Sequence, residues 1–208
     1  MSTSSLPTGA QALLIALQTP APSGHQGIPV LLWGKPGTGK SSFLEALQRP
    51  DFPVLTLLAS IHDPTDFSGL PMLQEGEVHY ARPAWLGTLV AAAQGVLFLD
   101  ELTTAPPAVQ AALLRVVLER QVGSHALPAA VRVVAAANPP DPAYGNWDLS
   151  PALRNRFVHL QWDLPEPVFR RALAQGFASA SLPAIDQAAH RARLPYWKLV
   201  IAAFLKRL

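Results

Sequence analysis

Residues 34–41 read Gly34-Lys35-Pro36-Gly37-Thr38-Gly39-Lys40-Ser41 and follow directly on the apolar run Ile28-Pro29-Val30-Leu31-Leu32-Trp33. The spacing G-x-x-x-x-G-K-[ST] belongs to a loop that holds phosphate. Its glycines let the backbone curl until successive N–H groups converge on one anion. A helix beginning near Lys40 would aim the positive end of its dipole at the same point. Lys40 offers an ammonium to the β and γ phosphates, and the Ser41 hydroxyl can ligate Mg²⁺. Gly34, Pro36, Gly37, Thr38, Gly39 and Ser42 complete the expected phosphate-holding set.

A second group of candidates lies at Gly95-Val96-Leu97-Phe98-Leu99-Asp100-Glu101, a short apolar run ending in two acids. Buried parallel strands read this way, and ligands in open α/β sheets sit beyond the carboxyl ends of such strands. Asp100 then suits Mg²⁺, through its waters, and Glu101 suits polarisation of an attacking water. The alternative is that both acids cap a helix starting at Thr103-Thr104-Ala105-Pro106. Asn138 leaves another apolar run, where its amide can hold a water or a terminal phosphate. Otherwise it caps a turn before Pro139 and Pro140.

These groups need a scaffold, and hydrophobic periodicity supplies one. Helices are expected over residues 11–17, after the phosphate loop with Phe43, Leu44 and Leu47 facing the core, over 84–93, and over 106–119. Strands are expected over 28–33, 54–58, 95–101, 131–136 and 156–162, with a hairpin over 74–80 in an irregular stretch 63–81. Everything from residue 165 onward reads as helical. Alternating strands and helices argue for an α/β fold with a parallel sheet covered on both faces.

Composition narrows the functional classes. A chain of 208 residues, 50% hydrophobic and 14% charged, supports one core with a small appendage. No apolar stretch approaches the roughly 20 residues of a membrane span, and Met1 to Ser5 lack the basic start of a secretory signal. The absence of cysteine excludes disulfides, zinc–thiolate sites and thiol catalysis, and fits a cytoplasmic setting. Residues 1–153 carry 7 Lys/Arg against 11 Asp/Glu, whereas 154–208 carry 9 against 3. The late cations are spread among Ala and Leu at helical spacings, which suits solvated faces or a subunit contact better than a nucleic-acid groove.

The string Asn138-Pro139-Pro140, followed by Tyr144-Gly145-Asn146-Trp147-Asp148-Leu149-Ser150-Pro151-Ala152-Leu153-Arg154-Asn155-Arg156-Phe157, resembles AAA+ ATPases of the MoxR type. The likeness is greatest to the branch that includes midasin and the NorQ/CbbQ activases, and it covers about residues 28–162. It implies a P-loop NTPase with a five-stranded parallel sheet of order 5-1-4-3-2. The strand ending at Asn138 would then lie between the phosphate-loop strand and the Asp100 strand. Asn138 would be "sensor 1", and Arg156 the finger entering a neighbouring subunit's site, with Arg154 a second finger or a structural ion-pair partner. A delocalised cation there stabilises the charge spread over the γ-phosphate.

The resemblance further implies ATP, over GTP, with Mg²⁺ as cofactor, and a homo-oligomeric ring, hexameric by analogy. It implies a protein client such as a von Willebrand A-domain protein or a metalloenzyme complex. The 63–80 region would be an insertion and hairpin facing the pore or client near His79 and Tyr80, an ordinary surface hairpin being the alternative. Three segments follow: an N-terminal helix and linker (1–27), the nucleotide-binding core (28–162) and a partial helical lid (163–208). That lid is short and shows no convincing sensor 2 motif, Arg193 being its only conceivable candidate. A reduced lid motivates a rival reading, a nucleotide-gated binding module with little turnover. The basic tail motivates a third, a DNA-directed protein of the loader type.

Overall fold

The structure, a computed structural model, describes residues 8–21, 23–139, 147–175 and 177. In chain order the elements are α1 (Thr8–Gln18), β1 (Val30–Trp33), α2 (Lys40–Glu45), β2 (Val54–Leu58), α3 (Pro64–Ser68), β3 (Leu70–Gln74), β4 (Glu77–Ala81), α4 (Ala84–Ala92) and β5 (Gln94–Asp100). They continue with α5 (Pro107–Leu118), β6 (Gln121–Val122), β7 (His125–Ala126), β8 (Ala130–Ala137), α6 (Pro151–Arg154), β9 (Val158–Gln161) and α7 (Glu166–Gln175).

Five strands pair in parallel in the order β2-β5-β8-β1-β9, which is the expected 5-1-4-3-2 read from its other edge. Successive residues of a strand face opposite sides, so each apolar run feeds two cores. Leu31, Leu97, Leu99, Val133 and Ala135 join one cluster with Leu113, Val116 and Leu153. Val30, Leu32, Phe98, Val134 and Ala136 join the other with Leu13, Phe43 and Leu47. The sheet is therefore buried on both faces, as near-continuous apolar strands require. None of the helices among the described residues is long and apolar enough to cross a membrane.

Several local expectations shift. The hairpin begins at Leu70 rather than residue 74, turning at Glu75 and Gly76, both with positive φ (54° and 85°). Such a turn matches the twist of its flanking strands. The stretch before it is helical because Asp63 and Asp66 form a reciprocal capping box around Pro64. Asp100 and Glu101 do not cap the long helix α5, whose N-cap is Pro106 with Pro107 in the first turn. β9 starts two residues late because the Arg156 N–H bonds to the Leu153 carbonyl (3.1 Å) and closes the turn after α6. Of the segment expected as a lid, residues 163–175, which include α7, and Phe177 are described; residues 176 and 178–208, Arg193 among them, lie outside the described residues.

Gly95, the second residue of β5, has φ +137°, and a Cβ there would collide with the Pro53 carbonyl oxygen that accepts the Val96 N–H (2.9 Å). Gly95→Ala is expected to cost about 1–3 kcal/mol of stability, read as a lower urea midpoint. An unchanged midpoint would count against this account of the strand start.

Candidate functional site

Trp33 ends β1, and the next N–H, that of Gly34, donates across to the Ala137 carbonyl at the end of β8 (3.2 Å). The loop then curls through Gly37 (φ 73°) and Gly39 (φ 80°), left-handed positions that other residues adopt only under strain. Thr38 Oγ1 donates back to the Lys35 carbonyl (2.8 Å), and Trp162 Nε1 donates to the Thr38 carbonyl (3.0 Å), pinning the loop from the strand beyond. α2 begins at Lys40 with no side-chain cap on its first turn. Its leading N–H groups are thereby left for a ligand.

The Lys40 ammonium is buried and donates to the carbonyls of Gly34 (2.7 Å) and Lys35 (2.9 Å). Burial holds its pKa below the usual lysine range, and the Asp100 carboxylate opposes that shift. Ser41 Oγ donates to Asp100 Oδ2 (2.8 Å), while Asp100 Oδ1 accepts the Glu101 N–H (2.9 Å). Glu101 itself is left-handed (φ 55°), an unusual backbone for a non-glycine residue and one that tends to occur at functional sites. Its carboxylate accepts the Ser60 hydroxyl (3.1 Å), and its carbonyl accepts the Thr104 hydroxyl (2.8 Å).

These residues face one cavity of about 320 Å³, lined by residues 36–42, Asp100, Glu101 and Asn138. Phe169, Ala172 and Phe177 close it on an apolar side. The structure thus brings together the loop residues, both acids and Asn138. Gly34 contributes from behind, through the carbonyl that holds Lys40. Arg154 instead lines a second cavity, of about 940 Å³, with Trp33, Trp147 and His159. Arg156 is exposed in the turn before β9, and neither arginine lines the Lys40 cavity of its own chain. His79 and Tyr80 are exposed on β4.

Sequence reasoning missed Ser60 and the phenylalanine wall. Ser60 was within reach once strand order was known, because Leu58 pairs with Asp100, so the residues just beyond each strand meet. No signal in the sequence marks Phe169 or Phe177, whose position depends on how the segment after β9 folds back over the loop. Phe177 packs edge-on against Phe43 (centroids 5.4 Å), close above Gly39.

The sigma-54 interaction domain family matches residues 9–143. The Psp operon transcriptional activator of Escherichia coli (strain K12) is 39% identical over 127 residues, covering 57% of this chain and 39% of that protein. The Nif-specific regulatory protein of Herbaspirillum seropedicae is 35% identical over 127 residues, covering 55% and 23%. The chaperone MoxR1 of Mycobacterium tuberculosis (strain ATCC 25618 / H37Rv) is 33% identical over 135 residues, covering 62% and 34%. The chain therefore spans less than two fifths of the length of these relatives. Among solved structures, the "putative ATPase" of Cytophaga hutchinsonii ATCC 33406 shares the fold, with a TM-score of 0.52 and 23% identity over 81% of this chain and 51% of that one. The strand order, the phosphate loop and a match over well more than half of its residues agree: this chain belongs to the sigma-54 interaction domain family, within the AAA+ P-loop proteins.

Proposed function

We propose that the chain is a Mg²⁺-dependent ATPase that works in a homo-oligomeric ring, a hexamer by family analogy, and remodels or activates a protein partner. The observation that carries this reading is the Ser41–Asp100 hydrogen bond of 2.8 Å beside the buried Lys40 ammonium. It joins the two halves expected of a triphosphate site. The organisation proposed is an N-terminal helix and linker (1–27), a core (28–162) and a helical lid (163–208).

A hydroxyl and a carboxylate side by side are hard oxygen donors of the kind Mg²⁺ takes, with its remaining positions left to water and phosphate. Among the described residues, no group of three or more His, Cys, Asp or Glu is placed to hold a metal ion. When bound, Mg²⁺ would neutralise charge on the β and γ phosphates. Lys40 would exchange its two carbonyl partners for phosphate oxygens. Glu101 would orient and polarise the attacking water, Asn138 would hold that water or the γ-phosphate, and Arg156 of a neighbour, seconded by Arg154, would meet the charge on the transferring group. The wall of Phe169, Ala172 and Phe177 offers apolar contact to a base without reading its edge, so ATP over GTP follows the family. A von Willebrand A-domain client is likewise analogy.

A second reading is favoured by the family match and by relatives named as transcriptional activators. In it the chain is the ATP-driven module of a regulator whose protein partner is sigma-54. Gel filtration with purified sigma-54 and ATP·Mg²⁺ separates the two: co-elution supports the regulator, and its absence leaves the activase. Phosphate release per subunit, followed across protein concentrations, decides between a motor and a binding module. A rate that climbs as rings form is the expected result.

Lys40→Ala is expected to weaken binding of a fluorescent ATP analogue by about thirtyfold or more, as loss of a buried charge partner does. Glu101→Gln should keep affinity within about threefold and cut turnover by roughly 10²–10⁴, the usual span for general-base loss. Normal turnover in Glu101→Gln would remove it as the base. A pH effect follows from the lowered Lys40 pKa. Phosphate would raise that pKa, so binding takes up a proton in the window between the free and bound values. Affinity should be flat below the free-state pKa and fall as pH rises through it, beginning below the usual lysine range. Titrations that stay flat through that range would contradict the burial of this ammonium.

A further inference from the structure

We propose that His159 is a positioning residue that holds the arginine-bearing turn 154–156 against the strand carrying the phosphate loop, an inference that rests on the trans-acting arginines proposed above. Trp33 Nε1–H donates to His159 Nδ1 (2.9 Å), so Nδ1 carries no proton. His159 Nε2 lies 2.9 Å from the Arg154 carbonyl oxygen, which can only accept, so Nε2 carries it. The imidazole is therefore neutral, in one tautomer, with both nitrogens engaged. Its ring also stacks on the indole, with centroids 6.0 Å apart and planes 28° apart.

Each end of this strut touches one half of the proposed machinery. Trp33 is the last residue of β1, and the next carbonyl, that of Gly34, accepts the Lys40 ammonium (2.7 Å). Arg154 is the last residue of α6, a helix of only 4 residues, so its carbonyl is one of the terminal acceptors the helix leaves unpaired. The backbone donor offered to it, the Phe157 N–H, is long at 3.4 Å, which leaves His159 as the closer partner. The strut is not a by-product of strand pairing: His159 sits opposite Leu31 in the ladder, and the Trp33 side chain reaches diagonally to it. His159 is exposed, so water competes for both bonds and they add little to global stability. Their effect lies in where the turn points. A finger displaced by about 1 Å can cost roughly a hundredfold in rate.

Three variants test this in the full chain. His159→Phe keeps a stacking ring and removes both polar atoms; His159→Gln restores an acceptor and a donor; Trp33→Phe removes the indole N–H and leaves a smaller ring in the stack. His159→Phe is expected to keep its urea midpoint, bind the fluorescent ATP analogue within about twofold of wild type, and lose about tenfold in phosphate release at ring-forming concentrations. His159→Gln should recover a substantial part of that rate. Trp33→Phe combined with His159→Phe should lose no more than the worse single variant, the sign of a shared interaction. Mixing His159→Phe chains with Lys40→Ala chains, which have empty sites but sound arginines, should raise release above either alone. A His159→Phe rate equal to wild type, while wild type still climbs with concentration, overturns this inference alone. A wild-type rate independent of concentration overturns the trans arginines and this inference together. A loss that neither Gln nor mixing repairs assigns the defect to the fold and overturns it as well.

Discussion

One strand, β8, lies between the strand that leads to Ser41 and the strand that ends at Asp100, yet a hydrogen bond of 2.8 Å joins the two side chains across 59 residues of sequence. Strand order makes that contact possible. β8 lies between β1 and β5, so the loop after β1 must arch over the end of β8 to meet the acid that ends β5. At about 4.8 Å per strand spacing, the loop bridges a gap that a curled backbone and one helical turn can span. Asn138, the first residue beyond β8, then has no choice but to lie beneath the arch. Remove the parallel pairing and the three motifs are unrelated stretches of chain.

The cores on the two faces serve this arrangement. Phe98 and Leu99, the two residues before Asp100, point to opposite sides of the sheet, and both are fully buried. The strand end is thereby held by packing on each face, and its last carboxylate inherits that rigidity. Lys40 shows the complementary economy. A buried ammonium is costly unless its protons have partners, and two loop carbonyls supply them. Those carbonyls belong to residues 34 and 35, so the group that would bind phosphate also braces the loop in its curled form.

Away from the rim the packing thins. β3 and β4 are exposed along almost their whole length, including Leu70, Met72, Leu73 and Val78. The hairpin hangs from the core through few ties, among them His125 Nε2 on the Tyr80 carbonyl (2.9 Å). A two-stranded ribbon contributes little stability of its own. This contrast between a clamped rim and a loosely held projection is a property of the topology, since the hairpin is inserted between β2 and β5 without joining the sheet.

Local chemistry was legible in the residues themselves. The phosphate loop declares itself because glycine is needed where φ is positive, at Gly37 and Gly39. The strands declare themselves because a sheet buried on both faces demands unbroken apolar runs. Strand order came from resemblance, since periodicity does not say which strand lies beside which. The Ser60 hydroxyl on Glu101, the phenyl wall over Gly39 and the single tautomer of His159 were decided only by tertiary structure. Each depends on which strand ends and turns become neighbours. That adjacency is set by packing across the whole sheet, whereas a loop's curl and a strand's burial are dictated within a few residues.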